Sequence, residues 1–348
     1  MTEPTLDYRG DWAALPTAAM RRAMAGAELG NDMSGEDPTV NRLEARVAEM
    51  LGKDRAMFVP SGTMGNLIGI MALAPWGTEI LVGDQSHIFG AEQGGAAALA
   101  GHPARPLPTD RFGVIDPAHI AAAINPDDQH YARTGLLCLE NTHNVRGGVA
   151  IPAATIAAAA AVAKAAGIPV HLDGSRLWHA AVALDTPLDV LAAPCDTVQV
   201  CLSKGLAAPV GSMLAGPRDV IAAARRHRKM LGGAMRQAGV LAAAGMVALD
   251  EILPRLGEDH VRARRLAEGI AELPGMGVDL ETVQTNLVYV DLPVQLPGPV
   301  LDEHLRPYGV FIGADDPGRV RFALHYEIDD AGIERTLTAM RRIIGVLT

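Results

Sequence analysis

The chain has 348 residues, of which 49% are hydrophobic and 20% are charged, so it can bury a large core and is not intrinsically disordered. Its 30 basic and 40 acidic side chains give a net charge of −10, which argues against a primary role on nucleic acid. The three cysteines form no metal-binding pair, and no stretch is typical of a membrane span or a signal peptide. We therefore expect a cytoplasmic protein without a bound metal or a membrane or nucleic-acid partner.

Helical and strand-like segments alternate along the first two thirds of the chain. The segment 37–52 has apolar residues at intervals of three and four and ends in glycine, which predicts a helix. The alanine-rich segment 155–166 predicts another. Short runs dominated by apolar residues predict buried strands of a parallel sheet; they are residues 79–83, 135–139, 168–172, 197–202 and 211–216. The pattern is that of an α/β protein with a mostly parallel, doubly wound sheet.

The pattern changes after about residue 248. A charged helical stretch comes first, then alternating runs at 286–292 and 318–325, then a terminal helix over 330–347. This predicts a smaller α+β domain. We expect a large domain over 16–247 and a small one over 248–348. The N-terminal segment 1–15 is expected to pack on the small domain or the active site.

Two polar residues of opposite charge follow neighbouring predicted strands. Asp173 comes directly after the strand at 168–172, and Ser203 and Lys204 follow the strand at 197–202. Ligands of open α/β sheets bind at these carboxyl ends. The pair is either a salt bridge or the lysine and carboxylate of a pyridoxal-phosphate site, in which the amine forms a Schiff base and the carboxylate holds the pyridinium nitrogen.

A glycine-containing helix start offers a place for a phosphate group. Ser61, Gly62 and Thr63 follow an apolar run and precede a helical segment, so free backbone N–H groups are expected there. An ordinary capped helix has the same pattern. The segment matches neither a P-loop nor a dinucleotide-binding motif.

Further candidates are single residues near predicted strand ends. His87 and His143 are able to stack on a ring or to move protons. Arg176 and Arg321 are able to grip a carboxylate in bidentate fashion, although each also fits an ordinary ion pair. Lys229 and Arg236 belong to a basic stretch, which is either an anion site or a solvated face; it covers residues 225–239.

Taken together, these motifs resemble those of the low-specificity L-threonine aldolases, within the β-eliminating lyase group of fold-type-I pyridoxal-phosphate enzymes. The matching segments run through most of the chain; they are residues 35–41, 61–66, 139–144, 171–176, 201–206, 209–212 and 228–237. The resemblance implies a large domain with a mostly parallel sheet, a smaller α+β domain, pyridoxal 5'-phosphate as cofactor and a homotetramer with shared active sites. It also implies retro-aldol cleavage of L-β-hydroxy-α-amino acids to glycine and an aldehyde. Transaldolation, β-elimination and dehydration remain alternatives on the same scaffold.

The resemblance also implies a role for each matching residue. It makes Lys204 the covalent anchor of the cofactor, Asp173 the partner of the pyridine nitrogen and His87 the residue that stacks on the ring. For the remaining positions it implies phosphate contacts from the segment 61–63 and Ser203, joined by Lys229 and Arg236 of a neighbouring subunit. Substrate contacts are implied for Arg176 (which also borders the cofactor), Arg321, His143, Gly10 and Ser34.

Several positions depart from the family pattern. Gly10 stands where a serine is expected to touch the substrate carboxylate, and Trp12 replaces a threonine. Ser34 replaces a tyrosine, Ala91 a bulky aromatic residue and Leu324 a threonine. Several changes from large to small side chains predict a roomier pocket that accepts substrates bulkier than threonine.

Overall fold

The computed structural model describes residues 4–347, so residues 1–3 of the N-terminal segment lie outside the described part. The strands are β1 (Leu6–Tyr8), β2 (Arg55–Val59), β3 (Glu79–Gly83), β4 (Ala104–Leu107), β5 (Thr134–Glu140), β6 (Val170–Asp173), β7 (Thr197–Cys201), β8 (Ser212–Gly216), β9 (Leu287–Asp291), β10 (Val310–Asp316) and β11 (Arg319–Ala323). The helices are α1 (Ala18–Ala25), α2 (Pro38–Met50), α3 (Gly62–Leu73), α4 (His87–Gly90), α5 (Gly95–Ala98), α6 (Pro117–Ala123), α7 (Ala153–Ala165), α8 (Leu177–Ala183), α9 (Leu188–Ala192), α10 (Arg218–Met230), α11 (Gly239–Val247), α12 (Leu256–Ala271), α13 (Gly298–Leu305) and α14 (Asp330–Leu347).

The larger sheet has seven strands in the order β2-β8-β7-β6-β5-β3-β4. Strands β3 to β7 pair in parallel, as the apolar runs predict. The run at 211–216 forms β8, which is antiparallel to both β7 and β2. The prediction of a parallel strand there was wrong, because an apolar run reports burial on both faces and carries no information on direction.

The smaller sheet has four strands in the order β1-β10-β11-β9. The N-terminal strand β1 pairs in parallel with β10, so that Leu6 lies opposite Val310. β10 and β11 form an antiparallel hairpin, and β9 pairs antiparallel with β11. The sheet thus pairs a strand near the N-terminus with strands from the last quarter of the sequence.

Each sheet has its own hydrophobic core among the described residues. One core surrounds the seven-stranded sheet and reaches Leu256, and the other unites β1 with α12, α14 and the small sheet. We propose the division into a large domain over 16–247 and a small one over 248–348, with residues 248–256 still packed in the first core. No helix in the described range is both long and apolar enough to cross a membrane.

The helix α2 shows how the sequence determines local structure. Asp37 caps its start, since its carboxylate accepts hydrogen bonds from the backbone N–H groups of Thr39 and Val40, both at 3.1 Å. Pro38 occupies the first helical position, where its missing N–H costs nothing. Every third or fourth side chain is buried, including Val40, Leu43 and Val47. The predicted helix at 37–52 is therefore confirmed.

Candidate active site

Asp173 and Lys204 meet at the carboxyl edge of the large sheet. Asp173 ends β6, and Lys204 lies three residues beyond the neighbouring parallel strand β7. Both line one small cavity, whose other lining residues are His87, Glu140, Thr142, Asn144, Ser175 and Arg176. The predicted convergence of the two strand ends is present.

Asp173 is buried and held as a carboxylate. One of its oxygens accepts a hydrogen bond from the backbone N–H of Ser175 and the other from the Asn66 side-chain amide, both at 3.0 Å. Burial acts to raise the pKa of Asp173, but the charges of Lys204 and His87 and the hydrogen bonds from Ser175 outweigh it, so the pKa is lowered. The site therefore offers a fixed negative charge to any cationic group in the cavity.

Asn66 connects Asp173 to a buried network beneath the cavity. Its amide also donates to Glu92 Oε1 at 2.9 Å, and its carbonyl oxygen lies 3.1 Å from His171 Nε2. Burial lowers the pKa of His171 to about 4, so the ring is neutral at pH 7. Its Nε2–H then donates to Asn66, while Nδ1 accepts from the Thr197 hydroxyl at 2.8 Å. This chain of bonds fixes the orientation of the Asn66 amide toward Asp173.

His87 is held at the cavity by two carboxylates. Its backbone N–H donates to Glu140 Oε2 at 2.7 Å, and its ring Nδ1 lies 2.9 Å from Glu92 Oε1. The hydrogen bond with Glu92 raises the pKa of His87, against the effect of burial. Polar atoms of His87, Glu92 and Asp173 lie within 4.8 Å of one another. The imidazole and the Asn66 amide already pair with these carboxylates, so the cluster is accounted for without a metal ion.

Arg176 is buried and forms a bidentate ion pair with Asp11. Its Nε and Nη2 donate to the two oxygens of Asp11, both at 2.7 Å, and its Nη1 donates to Asn144 Oδ1 at 3.1 Å. Asn286 donates a further hydrogen bond to Asp11 at 3.1 Å. Although burial acts in the opposite direction, Arg176 holds the pKa of Asp11 well below its usual range. The guanidinium is thus fixed in position, with one edge facing Asn144.

Arg321 approaches the same Asn144 oxygen from the small sheet. Its Nη1 lies 3.5 Å from Asn144 Oδ1, and its Nη2 donates to the backbone carbonyl of Arg9 at 2.8 Å. Its Nε is buried without a hydrogen-bond partner, and it forms no ion pair among the described residues. The predicted pair Arg176 and Arg321 therefore converges, and Arg321 has capacity to bind an anion.

The start of α3 lies against the end of β7. Ser61 caps this helix, with its hydroxyl accepting from Met64 N at 3.2 Å, and Gly62 and Thr63 form its first turn. A Cβ on Gly62 would lie 2.9 Å from Cys201 Sγ, so only glycine allows this close packing. Ser203, half-buried, follows the same strand end.

Three predicted site residues lie away from this cavity within the chain. Ser34, Lys229 and Arg236 are exposed, and Ser34 and Lys229 line a separate surface cleft beside α10. The Ser34 hydroxyl accepts from Asn31 at 2.7 Å, and Lys229 Nζ lies 3.9 Å from Met33 Sδ. The structure of a single chain does not bring them to Lys204.

His143 is placed differently from its neighbours in the sequence. Thr142 and Asn144 line the cavity, whereas the His143 ring is buried against Gly113 and both of its nitrogens are without a hydrogen-bond partner. Gly10 is buried between Arg9, whose carbonyl contacts Arg321, and Asp11, whose carboxylate contacts Arg176.

Four important residues were not identified as site candidates from sequence: Asp11, Asn66, Glu92 and Asn144. Asn66 and Asn144 lie inside segments that the sequence analysis singled out, 61–66 and 139–144, and Asp11 lies between the two named positions Gly10 and Trp12. Their polar side chains were the available signal. Glu92 lies outside the matching segments, so no sequence signal pointed to it, and the fold brings its carboxylate to the His87 ring.

Comparison with known proteins gives one consistent result. The family model for β-eliminating lyases matches residues 7–293. A probable low-specificity L-threonine aldolase 2 of Arabidopsis thaliana is 42% identical over 344 residues, which is 97% of each chain. The low specificity L-threonine aldolase of Escherichia coli K12 is 39% identical over 93% of this chain and 94% of its own.

Solved structures agree on the fold. A Leishmania major threonine aldolase superimposes with a TM-score of 0.82 at 20% identity, covering 97% of this chain and 99% of its own. A putative L-allo-threonine aldolase of Listeria monocytogenes superimposes with a TM-score of 0.79 at 20% identity, covering 93% of this chain and 92% of its own. The predicted fold-type-I architecture is confirmed. With the family model spanning most of its length, the chain belongs to the β-eliminating lyase family.

Proposed function

We propose that the protein cleaves L-β-hydroxy-α-amino acids to glycine and an aldehyde, with pyridoxal 5'-phosphate as its cofactor. The observation that carries the proposal is the single cavity shared by Lys204, an ionised Asp173 and the guanidinium of Arg176. The relatives named as threonine aldolases support the choice of reaction.

The donors around the cavity fit this cofactor. Lys204 supplies an amine for the aldehyde carbon, and Asp173 supplies a buried carboxylate for the pyridine nitrogen. His87 supplies an imidazole for the ring face. The N–H groups at the start of α3, with Ser61 and Thr63, suit a phosphate. The cofactor, held by these residues, would supply an electron sink for the pair released when the Cα–Cβ bond of the substrate breaks.

The chain's own residues then have separable tasks. Asp173 holds the proton on the ring nitrogen, which keeps the ring electron-withdrawing. Arg176 and Arg321 bind the substrate α-carboxylate, with Asn144 between them. His87, paired with Glu92, is able to accept or return a proton at the substrate hydroxyl or at Cα. We propose that His143, although its ring does not line the cavity, influences the choice of substrate side chain.

We further propose a homotetramer in which Ser34, Lys229 and Arg236 complete a neighbouring subunit's site. Their exposure and their distance from the cavity of their own chain support this assignment. Light scattering of the purified protein tests the assembly. A monomer at working concentration would contradict it.

Product analysis tests the reaction. The cofactor-loaded protein should release glycine and the matching aldehyde from L-threonine or L-phenylserine. Lys204→Ala should abolish turnover, whereas Lys164→Ala, at an exposed lysine of α7, should leave it unchanged. Ammonia and a keto acid in place of glycine would assign a dehydratase or an eliminating lyase. Near-normal turnover by Lys204→Ala would overturn the proposal.

The departure at Ala91 continues to support a preference for bulkier substrates. Leu324 does not, because leucine is larger than the expected threonine and is buried in the core of the small sheet. Gly10 gives no additional space, because Trp12 covers it. We therefore expect phenylserine to exceed threonine in kcat/KM. A kcat/KM for threonine above that for every larger analogue would contradict the preference.

A further inference from the structure

The segment 9–11 lies between the two arginines that converge on Asn144. The carbonyl of Arg9 accepts from Arg321, and the carboxylate of Asp11 holds Arg176. Gly10, between them, is buried and has an extended backbone. Gly10 therefore lies at the edge of the proposed carboxylate subsite, between the two groups that hold its arginines.

Another residue occupies the side-chain position of residue 10. The indole of Trp12 folds back over Gly10, so that a Cβ added at Gly10 would overlap it; Nε1 is the nearest atom, and Cδ1 and Cε2 follow at 2.5 Å. A side chain at position 10 would have to expel the ring. Trp12 and Gly10 are thus a matched pair, in which the indole fills the volume that a side chain at position 10 would take.

The Trp12 indole N–H is available for a ligand. It forms no hydrogen bond within the described residues, whereas the buried Trp178 donates to Cys201 O at 2.8 Å. Trp12 is 56% exposed, so water or a ligand is able to reach its N–H. An indole nitrogen is a donor only. Because the residues on either side of Gly10 contact both guanidinium groups, an anion bound between those groups is a suitable partner for it.

We propose that the Trp12 N–H is a third donor for the substrate α-carboxylate, beside Arg176 and Arg321. The proposal rests on the proposed function, since that function places a carboxylate here. It makes Trp12 a binding residue that takes over the role of a side chain at position 10. A hydrogen bond to a charged group is worth enough to change affinity by about tenfold.

The test is the dissociation constant of glycine for the cofactor-loaded protein, measured by isothermal titration calorimetry. Trp12→Phe keeps a ring but removes the donor, and should weaken glycine binding about tenfold. Gly10→Ala should have the same effect, because its methyl group expels the indole. The double variant should be no weaker than either single one, since both changes remove the same hydrogen bond.

Rescue and control variants complete the design. Adding Gly10→Ser to Trp12→Phe should restore affinity to within about threefold of the native value, because the serine hydroxyl provides a donor at the same place. Trp76→Phe, at a tryptophan 84% exposed and packed beside His102, should bind glycine like the native chain. Thermal unfolding of each variant checks that it is folded.

The outcomes separate the two proposals. If the native chain cleaves substrates and binds glycine but Trp12→Phe binds it equally well, the role of Trp12 is overturned and the function stands. Additive losses in the double variant would also overturn it. If the native chain neither binds glycine nor cleaves any substrate, the proposed function itself fails.

Discussion

Two arginine–aspartate pairs are buried among the described residues, and they differ in how completely their polar atoms are paired. Arg176 and Asp11 join through two hydrogen bonds, and the remaining guanidinium edge contacts Asn144. In the second pair, Arg228 Nη2 lies 2.9 Å from Asp32 Oδ2, while its Nε has no hydrogen-bond partner. All four side chains are at most 5% exposed, so burial does not distinguish the pairs.

The pKa values of the two carboxyl groups shift in opposite directions, although the arginine acts to lower the pKa in both pairs. The pKa of Asp11 is lowered, because Arg176 outweighs the effect of burial. The pKa of Asp32 is raised, because burial outweighs Arg228 and Arg225. Bidentate geometry and full pairing therefore decide whether a buried ion pair keeps its charge at low cost. The well-paired arginine is the one that faces the proposed substrate.

The largest expected effect comes from removing Asp11. Asp11→Ala leaves Arg176 buried without its counter-charge and should lower the free energy of unfolding by about 3–5 kcal/mol, measured by urea denaturation at pH 7. Because the lowered pKa stabilises the fold only above the unfolded value, the difference from native should shrink below about pH 4. Asp7→Ala, at the partly exposed Asp7–Arg9 pair, is the control and should cost less than about 1 kcal/mol. Equal losses of unfolding free energy in the two variants would show that the buried pair contributes no more to stability than the partly exposed one.

Asp259 extends the comparison to a buried carboxyl group with no ion pair or hydrogen bond among the described side chains. Burial raises its pKa to about 7, against the opposing effect of Arg262. A raised folded pKa stabilises the protein at low pH, and that contribution is lost as pH rises from about 4 to about 7. Asp259→Asn should therefore be more stable than native at pH 8, by up to roughly 4 kcal/mol, and similar at pH 4. Thermal unfolding at both pH values measures this, and an equal shift at both would contradict it.

The smallest expected effect is that of Asp32→Asn. The carboxylate is poorly stabilised in the fold, and Arg228 keeps its 2.7 Å hydrogen bond to Phe58 O. The change in unfolding free energy should stay below about 1 kcal/mol. Urea denaturation at pH 7, beside Asp11→Ala, gives the measurement. A loss as large as that of Asp11→Ala would show that the two pairs are energetically equivalent.

The sequence predicted the part of the fold that burial determines. Strands β3, β5, β6 and β7 match the apolar runs because both faces of the large sheet are covered. Asp173 and Lys204 were predictable because parallel strands place their carboxyl ends at one edge. Strand β1 was not predicted, since three residues carry too little pattern to assign a strand or its partner.

The contacts that complete the site were beyond sequence reasoning for a different reason. Asp11 and Arg176 are 165 residues apart, and nothing in either local segment indicates the other. The position of the Trp12 ring over Gly10 depends on a side-chain rotation that no periodicity encodes. Arg176 and Arg321 were identified by chemical type, but their meeting at Asn144 follows only from the packing of the small sheet against the large one.

The parallel pairing of β1 with β10 also has a consequence for the time course of synthesis. Leu6 finds its partner only when Val310 has emerged from the ribosome. At roughly 5–20 residues per second, this interval is on the order of 15–60 s. During it, Tyr8 has neither its Thr336 hydrogen-bond partner nor its contact with Phe322. The large sheet is able to form first, and the proposed carboxylate subsite is among the last parts of the molecule to assemble.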